Sequence, residues 1–156
     1  MADNDNTTKE MKIHTILALA MLLMPSLIFA LKKQERLYVY GIATSFNDST
    51  VYITDIQQLD SAWVDAKTDF LYSRNNYSYQ LREHLKANGC ATPTCVTVFA
   101  KKRKQIEKKY MATKKRYTTK GRYNVKSITK HDFTYSCIVP DDSERIDLQK
   151  KKSKKK

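Results

Sequence analysis

The sequence predicts an α+β fold: a single small domain whose mixed sheet of about five strands follows a ββαβαββ order, with two helices packed on one face and an apolar helix in front. Three observations carry that prediction. Residues 36–46 and 50–56 change side-chain character with a period of two, as strands do. Tyr77, Leu81 and Leu85 recur every fourth residue, and Ile106 and Tyr110 do the same within a lysine-rich segment, as one stripe of a helix does. Only three glycines and three prolines stand beside ten tyrosines and five phenylalanines, so the middle of the chain should pack rather than stay disordered.

The first element is apolar. Ile13 to Leu31 is free of formal charge, entered through Met11 and Lys12 and left through Lys32, Lys33 and Arg36. Met11 and Lys12 supply the positive start of an export signal, Ile16 to Met24 its apolar core, and Pro25, Ser26 and Ala30 its small-residue cleavage region. Residues 1–30 are therefore expected to be a signal peptide cleaved near Ala30, with Met11 a candidate true start and the periplasm or cell envelope as destination. The competing reading is a single-pass membrane anchor, since a span takes about 20 apolar residues. The excess of positive charge after the run would then hold the domain in the cytoplasm. Pro25 breaks the helix where a span would continue, which favours cleavage.

The folded domain is expected over residues 31–139, enough for one modest core. Arg36 to Phe46 sets Leu37 and Val39 against Tyr38, Tyr40 and Ile42, the pattern of a half-buried strand. Asn47, Asp48 and Ser49 turn the chain, and Thr50 to Ile56 alternates again, extending through Leu59, Ser61 and Trp63. The first domain helix starts at an Asn76 cap, runs through Tyr77, Leu81 and Leu85, and stops at Asn88-Gly89. Thr94 to Ala100 is a strand rich in β-branched residues. Lys101 to Thr119 is a helix lying on the sheet by the seam Ile106, Tyr110, Thr113 and Tyr117, and Gly121 ends it. Tyr123 to Ile128 and Asp132 to Ile138 complete the strands. The run KKKSKKK has nothing to bury, so residues 140–156 are expected to form a disordered basic tail.

The net charge of +13 is concentrated rather than spread. Lys101 to Lys130 carries thirteen basic residues against Glu107 alone, whereas Gly41 to Ala100 carries four basic against six acidic. Such a field draws anionic partners without identifying them. The residues proposed to meet them are Lys101, Lys102, Arg103, Lys104, Lys108, Lys109, Lys115 and Arg116, with Tyr110 and Tyr117 interleaved. The partner would be an envelope protein, an anionic surface polymer or lipid headgroups. The second hypothesis is a cytoplasmic or membrane-tethered nucleic-acid binder, in which lysines meet phosphates and tyrosines stack on bases. The same tyrosines have the spacing of a packing seam.

Cys90, Cys95 and Cys137 make an odd set. In an oxidising compartment Cys90 and Cys95 can close a short loop, leaving Cys137 over. A zinc site needs tighter cysteine pairs and a fourth ligand, so no metal and no other cofactor is expected. A thiol with His84 or His131 and Asp132 would make a nucleophilic set, but His131 and Asp132, as neighbours on a strand, point to opposite faces. No catalytic residue is assigned, and the protein is read as non-enzymatic. Tyr40-Gly41-Ile42 with Tyr52-Ile53-Thr54 invites comparison with GIY-YIG nucleases, but the order of the first triplet differs and Thr54 stands where that family has glycine.

At YVYGIATSFNDSTVYITDIQ, NNYSYQLREHL and PTCVTVFAKKRKQIEKKY the chain resembles small exported proteins of unassigned function from Bacteroidales-type bacteria. The resemblance covers residues 36–135. It implies a bacterial envelope protein and carries over no functional residue.

Overall fold

The computed structural model describes residues 31–142 except Phe46, Asp48 and Lys120. The expected signal segment, residues 1–30, and the chain beyond Asp142 lie outside the described residues. The described chain forms β1 (Leu31–Ser45), β2 (Thr50–Thr54), β3 (Gln57–Asp65), α1 (Arg74–Ala87), β4 (Pro93–Ala100), α2 (Arg103–Thr119) and β5 (Asn124–Ile128). This is an α+β domain with a mixed five-stranded sheet and two helices. The order is βββαβαβ, which departs from the expected ββαβαββ at both ends.

The sheet is organised around β1, which pairs antiparallel with β2, β3 and β4, while β5 runs parallel to β2 on the far side. Both β2 and β4 pair with residues 42–44, so they occupy opposite edges of β1. Strand β3 continues β2 along the same edge after a bulge: the register passes from Ile42–Ile53 to Val39–Gln57, one residue longer on the β2–β3 side. Thr54 repairs the ladder there by accepting the Gly41 N–H at 2.8 Å. Asp55, in the bulge, donates its N–H to Ile128 O at 2.9 Å and accepts the Lys130 N–H at 3.1 Å, which ties the bulge to the end of β5. A second irregularity sits at Ser61, with φ 76, where the inward side switches from Leu59 to Ala62 and Val64. The expected single face through Leu59, Ser61 and Trp63 is therefore corrected.

The two helices pack on opposite faces of the sheet, not on one. Leu37, Val39 and Ala43 of β1 join Tyr77, Leu81 and Leu85 of α1 in one core. Tyr40 of β1, with Val51, Ile53 and Ala100, joins Ile106 of α2 in another. The alternation in β1 was read as buried against exposed; it separates two buried faces, because a tyrosine can bury its ring wherever its hydroxyl finds a partner. Tyr40 is buried, its hydroxyl shares a 2.8 Å hydrogen bond with Thr113 Oγ1, and its ring meets Tyr110 edge-on at 5.2 Å.

Helix α1 buries the expected Tyr77, Leu81 and Leu85 and ends at Asn88, with Gly89 at φ 87. Its start lies three residues earlier than the sequence suggested. Ser73, at φ 54, precedes the first turn, and Asn76 donates its side-chain N–H to Ser73 Oγ at 2.7 Å from inside the helix. The expected last strand, Asp132 to Ile138, is a strap instead. Phe133 and Tyr135 are buried and Cys137, two residues on, is exposed, but side chains bind the backbone there. Gln57 donates to Phe133 O at 2.8 Å and accepts the Tyr135 N–H at 2.9 Å. Gln80 of α1 repeats the arrangement at Ser136, at 3.0 and 2.8 Å, and Tyr77 Oη accepts the Ile138 N–H at 3.0 Å. Each glutamine amide does what a neighbouring peptide group would do in a ladder.

The outer edge of β4 is held from both layers. Ser78 Oγ of α1 accepts the Thr97 N–H at 3.0 Å, and Lys109 Nζ of α2 donates to Phe99 O at 3.0 Å. Such partners blunt an edge that would otherwise invite another strand.

Gly41 sits where the strap crosses β1. A Cβ there would press on Tyr135 Oη and Leu81 Cδ2 more closely than real Cβ atoms approach anything. Gly41→Ala is expected to cost about 1–3 kcal/mol by overpacking, read as a lower urea midpoint; an unchanged midpoint would mean that the strap yields freely.

Candidate functional site

The basic segment predicted from sequence becomes α2, and the two-layer packing gives it one face of the molecule alone. Its seam holds Ile106 buried and Tyr110, Thr113 and Tyr117 half-buried against the sheet. Tyr117 meets Tyr123 edge-on at 5.2 Å. Tyr110 and Tyr117 thus seat the helix, and their rings are engaged with other tyrosines rather than offered outward.

Half a turn round the helix from that seam lies a ridge of Lys104, Lys108, Met111 and Lys115, at spacings of four, three and four residues. All four are exposed, Met111 to 64%. The three ridge lysines span about 16 Å at the rise of an α-helix. Lys102, just before the helix, and Arg116, on its flank, are exposed as well. None of Lys102, Lys104, Lys108, Lys115 and Arg116 forms an ion pair among the described residues.

The other residues of the predicted set have partners. Arg103 Nε donates to Glu107 at 2.7 Å, an exposed i,i+4 pair worth about 0.3–0.5 kcal/mol. Its guanidinium also lies over the Tyr38 ring at 5.8 Å. Lys109 is held by Phe99 O. Lys101 reaches Asp69 Oδ1 at 2.5 Å, where Lys32 of β1 arrives at 2.6 Å. This bracket joins the start of β1 to the start of α2. Sequence reading did not single out Asp69, because its two partners come from segments far apart in the chain. Lys114, outside the predicted set, is half-buried over the Tyr110 ring at 4.9 Å.

Cys90, Cys95 and Cys137 are free thiols, so the Cys90–Cys95 bridge is not formed in this structure. Burial pushes the Cys95 thiol up to about 11. Cys137 is exposed, and its Sγ donates to Asp60 O at 3.3 Å. His84 packs against the Phe133 ring at 5.1 Å. Among the described residues no group of three or more His, Cys, Asp or Glu is placed to hold a metal. An open groove of about 1040 Å³ lies at the start of α1, lined by Leu31, Phe70, Tyr72, Arg74, Asn76 and Tyr79, with Arg74 over the Phe70 ring at 5.2 Å. No described helix is long and apolar enough to cross a membrane. Compared with protein-family models, curated proteins and solved structures, the chain matches none.

The hydrogen bond from Lys101, then that from Lys32, holds the Asp69 carboxyl below its ordinary range, and the hydrogen bond to Asp69 holds Lys32 above its own. A depressed carboxylate stabilises the fold at neutral pH and loses that contribution as pH falls through its native value. Asp69→Asn should therefore lower the melting temperature at pH 7, with wild type and variant converging in acid below the usual carboxylate range. A gap that persists in acid would rule out charge as its source. In native-state alkylation at mildly alkaline pH, Cys137 should react well before Cys95; equal rates would contradict the burial of Cys95.

Proposed function

We propose that this protein is a non-enzymatic binding domain of the bacterial periplasm or envelope, exported by its apolar leader, that holds anionic partners on the exposed face of α2. The observation that carries the reading is the exposed side of α2: Lys104, Lys108 and Lys115 on the ridge, with Lys102 just before the helix and Arg116 on its flank, five cations that have no carboxylate partner among the described residues. Unpaired charge repels itself and contributes nothing to folding, so its concentration on one face points to a partner outside the chain. The nucleic-acid alternative draws less support. Base stacking needs outward aromatic faces, and the tyrosines of α2 are turned to the sheet.

Charge reversal tests the site. Wild-type protein should stay on heparin resin at physiological salt, while Lys104→Glu/Lys108→Glu/Lys115→Glu should pass through with an unchanged melting temperature. Equal elution of the two would sink the assignment, since phosphate-like contacts must weaken as salt rises. Destination is read separately by cell fractionation with intact mass, which reports leader cleavage and any Cys90–Cys95 bridge together. An unprocessed chain in the cytoplasmic fraction would overturn export.

A further inference from the structure

Beyond the α2 face, we infer that the outer edge of β5 is a docking site for an extended acidic peptide segment, which joins the sheet as a further strand. The edges of the sheet are not treated alike. On β4 the Thr97 N–H and the Phe99 carbonyl are taken up by Ser78 and Lys109. On β3 the Asp65 N–H donates to Phe70 O at 2.8 Å and the Trp63 carbonyl accepts the Tyr72 N–H at 2.9 Å. Strand β5 ends the sheet beyond β2. In a parallel pair, alternate residues turn both backbone groups to the neighbouring strand and the residues between turn both away. Asn124 donates to Ser49 O and Ile128 O accepts from Asp55, each at 2.9 Å, so Asn124, Lys126 and Ile128 face β2 with their backbone. Val125 and Ser127 therefore present their N–H and C=O groups outward, and no described residue bonds them. Such an edge is a template for another chain.

The side chains along the edge define the strand it takes. On the α2 side stand Tyr123, 42% exposed and edge-on to Tyr117, and Val125, packed on the core that holds Ile106. These offer apolar contact. On the other side Lys126 is exposed, with Arg122 just before the strand and Lys130 just after it exposed as well, and none of the three has a carboxylate partner among the described residues. The carboxylates at the end of the strand, Asp55 and Asp132, accept from the Lys130 N–H and the Thr129 hydroxyl. A lysine can blunt an edge by standing across it. Lys126 instead lies over the ring of Tyr52, its register partner on β2, at 5.8 Å, and leaves the edge open. The segment that fits is extended, acidic on one face and apolar on the other. A second copy of β5 would set these cations against their own kind, which disfavours self-pairing. Nucleic acids and lipids carry no alternating backbone donors and acceptors with which to extend a ladder.

The test titrates the full-length protein with a peptide alternating glutamate with valine and tyrosine, and with the same peptide carrying lysine for glutamate. Binding is read by fluorescence anisotropy and by amide exchange. In the free protein the Val125 and Ser127 amides should exchange freely and the Lys126 amide slowly; the glutamate peptide should protect all three. Ser127→Pro removes an N–H that points to solvent and leaves the bonds to β2 in place, so it should weaken binding about tenfold with an unchanged melting temperature, whereas Ser127→Ala should bind as wild type does. Protection of Val125 and Ser127 without peptide, or its absence with peptide, overturns the inference, and this readout stands even where Ser127→Pro does not fold. Equal binding of the lysine peptide overturns it too, as does full affinity in a folded Ser127→Pro. Lys104→Glu/Lys108→Glu/Lys115→Glu should still bind the peptide at physiological salt, where charges beyond about 8 Å are screened. Binding lost there but kept in Ser127→Pro moves the peptide to the ridge and removes the β5 site. Retention on heparin with no peptide binding removes the β5 site and leaves the α2 reading standing.

Discussion

Everything in this fold depends on β1 having two buried faces. It is fifteen residues long and pairs with β3 and then β2 on one edge and, from Tyr38 to Ser45, with β4 on the other. Its odd positions, Leu37, Val39 and Ala43, face α1, while Tyr40 faces α2. A strand used in this way needs a helix over each face. The connections supply them: α1 lies between β3 and β4, and α2 between β4 and β5. Gly41 is the one position where the strand gives up a side chain, and the strap fills that space with Tyr135.

The elements themselves were largely legible. Period two marked β1 and β2; β-branched residues marked β4; the stripe Tyr77, Leu81, Leu85 marked α1; the seam Ile106, Tyr110, Thr113, Tyr117 marked α2 to within two residues at its start. What failed was the sidedness of β1. Tyr38 and Tyr40 are amphipathic, so their alternation with Leu37 and Val39 does not say which face is wet, and a one-sided sheet followed from choosing wrongly. The strap was misread for a related reason. Alternate burial of Phe133 and Tyr135 is real, but a sequence does not reveal that Gln57 and Gln80, from far upstream, replace a neighbouring strand. The basic segment was plain in the sequence, whereas its division into paired and unpaired cations was not. That division is set by Asp69, Phe99 O and Glu107, and two of these three come from elsewhere in the fold.

The two-layer arrangement also orders the charge. Helix α1 is basic on balance, with Arg74, Arg82 and Lys86 against Glu83, which pairs with Lys86 at 3.1 Å. On opposite faces, the sheet keeps the two helices apart, and α2, whose Glu107 is paired with Arg103, projects a predominantly positive field. The exposed Val96 on β4, 43% accessible, shows that a single helix does not roof its whole side of the sheet.

The glutamine clasp has a consequence for biogenesis. The strap that closes the α1 side follows every described strand and both described helices in the chain, and without residues 133–138 the core of Tyr77, Leu81 and Leu85 lacks Phe133 and Tyr135. Closure of the α1 side therefore waits on a segment that carries no strand or helix of its own, and a chain lacking it would leave that core open to water.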